Sequence, residues 1–375
     1  MQKSGKKSEM YTMVNRELCK MKSKTKCKCV AVEDTRTGMQ AALDGRVPCV
    51  LLCKGKFTEK VTAFIKALVM PNMRMKEPCI VGIDFGGLHT TVGFGDILWL
   101  CFDFSFKEET HENILDFLKD MCGLCRVKAL GVALACTIVP TEDMKERRIS
   151  EHSTKFSKLS KVKKGYISEI EKLWKRELGG IRVAILNDGE AAAIAEHKEG
   201  AGREYDNILV ITLGTSIGAG FIFHGEPHIG KYTSRASHII LDPCEEWCRG
   251  ENHKGCWKVL AGSDALKKLA ENMGFQKNSK EIAKKAQRGD RKSKLFYEFY
   301  AEKVAMGIAS IVGAVPVECV ITGGGIAQAG NILFNPLRAR LKKGDLLDYS
   351  VASVLEIVPA ECEEPVVRGA QLYVG

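Results

Sequence analysis

The sequence predicts an α/β fold of two lobes, each opened by an apolar strand that runs into a glycine turn. Three observations predict it. Two hydrophobic stretches, VGIDFGGLHTTVG (81–93) and NILVITLGTSIGAGFIFHGE (207–226), pass through a glycine turn and return as a second strand. Between them, VAILNDGEAAAIAEH (183–197) reads as a strand that ends in Asn187-Asp188 and turns into an alanine-rich helix. Further on, ECVITGGGIAQAG (318–330) is a strand entering Gly323-Gly324-Gly325. Acids and glycines at the carboxyl ends of strands mark the crevice where α/β sheets gather ligands.

Each turn suggests its own chemistry. In the first, Gly86 and Gly87 let backbone N–H groups approach a phosphate, Thr90 and Thr91 supply hydroxyls, and Asp84 can hold a hydrated Mg²⁺. In the second, Gly214, Thr215, Ser216 and Gly218 form a comparable cradle with hydroxyl donors for phosphate oxygens. The loop of Gly323, Gly324 and Gly325 lets a flat ring such as adenine lie against the backbone. Asp188, at the end of a strand and the start of a helix, is placed to take a proton from a hydroxyl. Such a base contributes about 10²–10⁴-fold. The plain structural alternative for Asp188 is a helix N-cap.

The remaining elements fit this frame. Residues 97–106 (ILWLCFDFSF) read as a third strand, 110–122 as a helix and Val127–Ala135 as a buried strand. Three strands, a helix and a strand are the opening of an actin/hexokinase-like (ribonuclease H-like) ATPase half. Residues 79–140 are expected as a small lobe and 141–375 as a large one. The charged segment 142–176 ends in a helix over Ile167–Leu178, and a helix is expected over Asn335–Lys342.

Upstream, residues 1–24 form a polar lead-in and 25–70 a small α/β fragment. The fragment reads as strand (Cys29–Val32), short helix (Gly38–Leu43), strand (Pro48–Cys53) and helix (Thr58–Val69), followed by a proline-bounded linker at 71–78. Its run VEDTRTGMQAAL (32–43) resembles the last acidic motif of haloacid-dehalogenase-type phosphatases and β-phosphoglucomutases. No D-x-D nucleophile motif precedes it, so a structural remnant is expected.

Composition bounds the function. The 375 residues are 45% hydrophobic and 27% charged, as in a globular protein with a sizeable core. No apolar run reaches the about 18 residues of a membrane span. The lysine-rich N-terminus has no apolar segment behind it, so it is no secretory signal. Fifteen cysteines without such a signal read as reduced thiols plus a metal site, in a cytoplasmic setting. The net charge of +10 concentrates in residues 3–28, 145–176 and 276–304. These segments carry no recognisable nucleic-acid-reading motif, which argues against a nucleic-acid partner.

VGIDFGG, LNDGEAAA, LGTSIGAG and ITGGG, in that order, resemble the first phosphate, catalytic, second phosphate and adenosine motifs of the ROK family of sugar kinases and repressors. EEPVVRGAQLY resembles the family's C-terminal helix, which returns to the small lobe. The resemblance runs from about Cys79 to Gly375. It implies an ATP- and Mg²⁺-dependent kinase acting on a small-molecule sugar, with Asp188 as general base and Asn187 on a sugar hydroxyl. It also implies a homodimer or homotetramer and one structural Zn²⁺.

The zinc segment of the family carries one His and three Cys; here it is SHIILDPCEEWCRGENHKGCW (237–257). His238, Cys248 and Cys256 fall near the family positions, and Gly250 stands where the middle Cys is expected. Cys244 is then expected as the fourth ligand of a closed His-Cys₃ tetrahedral site, with His253 the other candidate. Other departures bear on the substrate. Leu88 replaces the usual Thr of the first turn, and Arg235 and Lys258 stand where the family places sugar-binding glutamates. Arginine and lysine donate hydrogen bonds but accept none, so either the resemblance slips in register here, or the acceptor has changed to one with an anionic group, or catalysis has been lost. The alternatives to a kinase are therefore a non-catalytic sugar or nucleotide sensor and a transcriptional regulator.

Overall fold

The structure, a computed structural model, describes residues 31–33, 49–53 and 78–375, except 88, 96–97, 103–104, 107, 124–125, 144, 152–155, 230–232, 249–251 and 277–278. The expected lead-in, the linker and the helices over 38–43 and 58–69 fall almost wholly outside these residues.

Among the described residues, one sheet has seven strands in the order β1-β2-β5-β4-β3-β6-β9. They are β1 (Ala31–Glu33), β2 (Cys49–Cys53), β3 (Cys79–Phe85), β4 (Thr90–Phe94), β5 (Leu98–Phe102), β6 (Val127–Leu134) and β9 (Arg182–Asn187). β3, β4 and β5 form an antiparallel meander, whereas β6 and β9 add in parallel. The pairing of β2 with β5 carries the two short upstream strands on the sheet's edge. β7 (Ile138–Pro140) and β8 (Arg147–Ile149) make a separate two-stranded ribbon. The helices of this half are α1 (His111–Cys122) and α2 (Ile167–Glu177).

The first core extends well beyond residue 140, the expected end of the small lobe. Ile149, Phe156, Leu159, Ile167, Ile170, Trp174, Val183 and Ile185 pack with Val81, Ile83 and Phe85 in one cluster. The physical reason is the parallel pairing of β9 with β6, from Ala129↔Arg182 to Leu134↔Asn187. A parallel strand must be reached by a crossover, here α2, which buries Ile167, Ile170 and Trp174 against the sheet. The first sheet therefore runs on to β9 and Asn187.

α3 (Asp188–Glu199) leads into the second sheet, ordered β12-β11-β10-β13-β14. Its strands are β10 (Ile208–Leu213), β11 (Ile217–Phe223), β12 (Glu226–Pro227), β13 (Cys319–Gly323) and β14 (Glu356–Pro359). Its helices are α4 (Trp257–Ala261), α5 (Ser263–Asn272), α6 (Ser279–Gln287), α7 (Arg291–Val312), α8 (Asn331–Leu341) and α9 (Tyr349–Ala352). α8 starts four residues before the expected Asn335. Gly330, at φ 64°, sets its entry, and Pro336 is accommodated inside the helix.

The C-terminal helix α10 (Pro365–Val374) returns to the first lobe and lies against β3, β6 and α3. Gln371, 2% exposed, donates through Nε2 to the carbonyls of Ile80 (3.2 Å), Gly93 (3.1 Å) and Gly95 (2.9 Å). Arg368 forms a two-point ion pair with Glu199 at the other end of α3. No helix among the described residues is long and apolar enough to cross a membrane.

Candidate active site

Strand alternation decides what the first turn presents. Asp84 pairs with Thr91 and Phe85 with Thr90 across the β3–β4 hairpin, and directly opposed side chains share a face. Phe85 belongs to the core, so Thr90, fully buried, points inward with it. Thr91 is the hydroxyl beside half-buried Asp84. Thr90, the expected phosphate contact, thus shares the face of Phe85, and Thr91, 6% exposed, shares that of Asp84. Ser105 fastens the turn by donating to the Gly86 carbonyl at 2.7 Å, a contact that sequence alone did not suggest. Gly87 follows, half-exposed at the mouth.

The second turn is built by the antiparallel β10–β11 pair. The N–H of Gly214 donates to the carbonyl of Ser216 at 3.0 Å and leaves Thr215 at the tip. Two further backbone segments close on it. The Ser263 N–H, at the start of α5, donates to the Gly214 carbonyl at 3.1 Å, and the Ile326 N–H donates to Leu213 at 3.1 Å. Gly324 makes the second approach possible. At φ 89° it adopts a backbone that L side chains rarely reach, and a Cβ there would strike the Leu213 carbonyl. β13 pairs in parallel with β10, Thr212 beside Gly323, so the glycine loop opens at the same sheet end as the phosphate turn. A cavity of about 210 Å³ adjoins it, walled by Gly325, Ile326 and Ala329 on one side and by Lys280, Lys284 and Gln287 of α6 on the other.

Asn187 and Asp188 sit at the joint between β9 and α3, and the residue that caps the helix is Asn187. Its Oδ1 accepts from the Gly189 N–H at 2.9 Å, while Glu190 accepts from the Asn187 N–H at 2.9 Å, a reciprocal capping box. Its Nδ2 donates to the Cys136 carbonyl at 2.8 Å, and the side chain is 4% exposed. Asn187, expected on a sugar hydroxyl, is thus engaged here in the helix cap and with the Cys136 carbonyl. The N-x-x-E spacing of Asn187 and Glu190 was the sequence signal for this box. Asp188 is the first helical residue and half-buried, with Oδ1 on the Gly189 N–H at 2.9 Å. The aligned amides of a helix N-terminus stabilise negative charge at that position. Gly189 and Gly220 meet backbone to backbone, since a Cβ on Gly220 would overlap the Gly189 carbonyl. This contact sets Asp188 beside the strand that leaves the second phosphate turn.

His238, Cys248, His253 and Cys256 bring their ligand atoms within 4.8 Å of one another. His238 Nδ1 is 3.2 Å from His253 Nε2, 3.8 Å from Cys248 Sγ and 3.9 Å from Cys256 Sγ. A tetrahedral Zn²⁺, with Zn–N of about 2.05 Å and Zn–S of about 2.3 Å, requires edges of about 3.3 Å (N to N) and 3.6 Å (N to S). Donor set and spacing both fit that ion. The fourth member is His253, not Cys244. A hairpin bridged at Trp247 and Lys254 brings His253 opposite Cys248, whose N–H donates to the His253 carbonyl at 2.9 Å. Cys244 is exposed in the preceding turn, where its N–H bonds Asp242.

The metal-type cluster is tied to the phosphate turn by a short rigid path. Cys256 caps α4, and the next residue, Trp257, is fully buried and donates to the Lys303 carbonyl at 3.1 Å. Lys258 follows, half-buried, and Gly262-Ser263 then reaches Gly214. Arg235, also half-buried, lies in the turn Thr233–His238, which packs on both β11 and α3. Both cations are therefore carried by elements that abut the site.

The sequence profile of the ROK family matches residues 81–374. Over 203 residues the chain is 29% identical to a glucokinase from Thermotoga maritima, which covers 49% of this chain and 63% of that relative, under two thirds of its length. A ROK family glucokinase from Streptomyces griseus, solved in complex with glucose and AMPPNP, superposes with a TM-score of 0.61 at 20% identity. The match covers 79% of this chain and 99% of that one. A ROK family transcriptional regulator, homologue of the E. coli MLC protein, superposes with a TM-score of 0.62 at 18% identity, covering 79% of this chain and 77% of that one. The fold is thus the actin/hexokinase-like one expected, and, with its profile matched over well more than half its length, this chain belongs to the ROK family.

Proposed function

We propose that the protein is an ATP-dependent kinase that transfers the γ-phosphoryl group to a hydroxyl of a hexose or related polyol. The observation that carries this reading is the Gly189–Gly220 contact, which joins the helix of a carboxylate, Asp188, to a phosphate-type turn. In this reading Asp188 takes the proton from the acceptor hydroxyl, and the backbone donors around Gly86, Gly87, Gly214, Thr215, Ser216 and Gly218 hold the phosphates. Gly323, Gly324 and Gly325 with the adjoining cavity take the adenosine. Asp84 and Thr91 offer the hard oxygen donors that suit Mg²⁺. When bound, the Mg²⁺-nucleotide supplies the phosphoryl group and offsets its charge; the fixed dipoles of the turns do the rest by positioning.

Several finer parts belong to the same reading. His238, Cys248, His253 and Cys256 hold a structural Zn²⁺; His238 turns Nδ1 to the cluster and keeps Nε2 for the acceptor. Arg235 and Lys258 favour an acceptor with more hydrogen-bond acceptors than a plain hexose. Strands β1 and β2, on the edge of the first sheet, support a structural role for residues 25–70. The protein works in the cytoplasm as a homodimer or homotetramer.

The test is ADP release from Mg²⁺-ATP across hexoses, N-acyl hexosamines, inositols and sugar acids, with Asp188→Asn alongside. Turnover on one acceptor class that vanishes in the variant establishes the reaction and its base. Absence of turnover on every acceptor, with ATP still raising the melting temperature, favours instead the non-catalytic sensor suggested by Arg235 and Lys258.

A further inference from the structure

A buried ion pair near Asp188 comes from a segment in which the sequence showed no chemistry. Arg147, on β8, sends Nη1 to Glu190 Oε2 at 3.1 Å and Nη2 to the Ile185 carbonyl at 3.1 Å. The Glu190 side chain is 1% exposed and that of Arg147 17%. The two acceptors bracket Asp188: Ile185 lies in the last turn of chain before it, and Glu190 in the first helical turn after it. The same Glu190 oxygen also accepts the Asn187 N–H at 2.9 Å. One guanidinium thus spans the β9–α3 joint and grips both sides of it.

A buried ion pair is poor evidence for stability, because desolvating two charges costs about what their attraction returns. What it supplies is geometry: a planar fork with two fixed donors admits few arrangements of its partners. From these contacts we infer that Arg147, acting through Glu190, is a positioning residue for the Asp188 carboxylate. The inference rests on the reading of Asp188 as the base. Other titratable groups face the pair from two more elements. Glu171 of α2 accepts the Ile185 N–H at 2.7 Å, and Tyr373 of α10 feels Arg147, Glu171 and Glu190. Neither lies within the Asp188 turn itself.

The test compares Arg147→Met, Glu190→Gln and Asp188→Asn in the full chain, measuring kcat, KM and the pH profile of kcat, with melting curves to establish folding. A displacement of the base by about 1 Å costs about 10²-fold in rate, so kcat should fall by about that factor in both clamp variants while KM for ATP and acceptor stays near that of the parent. A brace of the fold alone would not move the acid limb of the profile in opposite directions, and the pair should do so. Arg147→Met leaves a carboxylate uncompensated two residues from Asp188 and raises the limb. Glu190→Gln leaves a lone guanidinium and lowers it. Glu190→Gln is nearly isosteric and keeps an acceptor for Asn187, so it carries the test if Arg147→Met fails to fold. Unmoved limbs, or kcat near the parent value in the folded variants, overturn the inference while an inactive Asp188→Asn leaves the base standing. Full turnover by Asp188→Asn removes the base and the inference with it.

Discussion

His238 Nδ1 and His253 Nε2 face each other at 3.2 Å across the base of a hairpin, with the sulfurs of Cys248 and Cys256 closing the group. A four-ligand Zn²⁺ site contributes its binding energy to folding. His253→Ala should therefore yield protein with little or no zinc and a lower melting temperature, whereas Cys244→Ser should retain one zinc per chain. Metal analysis of the two purified variants decides between the ligand sets; zinc retained by His253→Ala and lost by Cys244→Ser would restore Cys244.

Gly220 rests against the Gly189 carbonyl, with Ala193 also close. Gly220→Ala must push α3 from β11, an overpacking that costs about 1–3 kcal/mol. Asp188 shifts with the helix, so under its proposed role as base kcat should drop by one to two orders of magnitude, about the size of a 1 Å misplacement. Thermal melts and steady-state kinetics on the same preparation show whether both effects occur together.

Gln371 holds three carbonyls of the β3–β4 hairpin from the C-terminal helix. Gln371→Leu keeps the volume and removes the donor; the Ile80 carbonyl keeps the Gly95 N–H, and each acceptor left unsatisfied costs about 1–3 kcal/mol. The expected result is a lowered melting temperature and faster amide exchange in residues 80–95. Exchange unchanged there would mean that packing alone seats α10.

Burial holds the Glu171 carboxyl above its ordinary range, opposed by the Ile185 N–H and then by Arg147. An acid with a raised folded pKa binds more protons when folded, so stability falls as pH rises from the ordinary carboxyl value through the folded one. Glu171→Gln mimics the protonated form and still accepts from Ile185. Its melting temperature should exceed the parent's at pH 7, and the gain should vanish near pH 4. A gain that persists at pH 4 would point to packing instead of charge.

Local chemistry made much of this protein legible from its residues. The glycine turns at Gly86-Gly87, Gly214–Gly218 and Gly323–Gly325 are written in adjacent positions, as are the Asn187-Asp188 joint and the family to which these stretches belong. They depend on φ freedom, strand periodicity and capping, which act over a few residues. His238, Cys248 and Cys256 were visible as a group for the same reason, with Cys244 expected as the fourth member. Choosing between Cys244 and His253 required the hairpin pairing that puts Trp247 opposite Lys254.

Only the tertiary structure decided what depends on pairing at a distance. Register across the hairpin, not proximity in sequence, puts Thr91 beside Asp84 and turns Thr90 inward. The parallel pairing of β9 with β6 carries the first core past residue 140, because a crossover hides its apolar contacts inside a charge-rich segment. Arg147 and Glu190 are 43 residues apart, and no periodicity or spacing links them. Contacts between elements arise from how sheets and helices pack, and that information is spread over the whole chain.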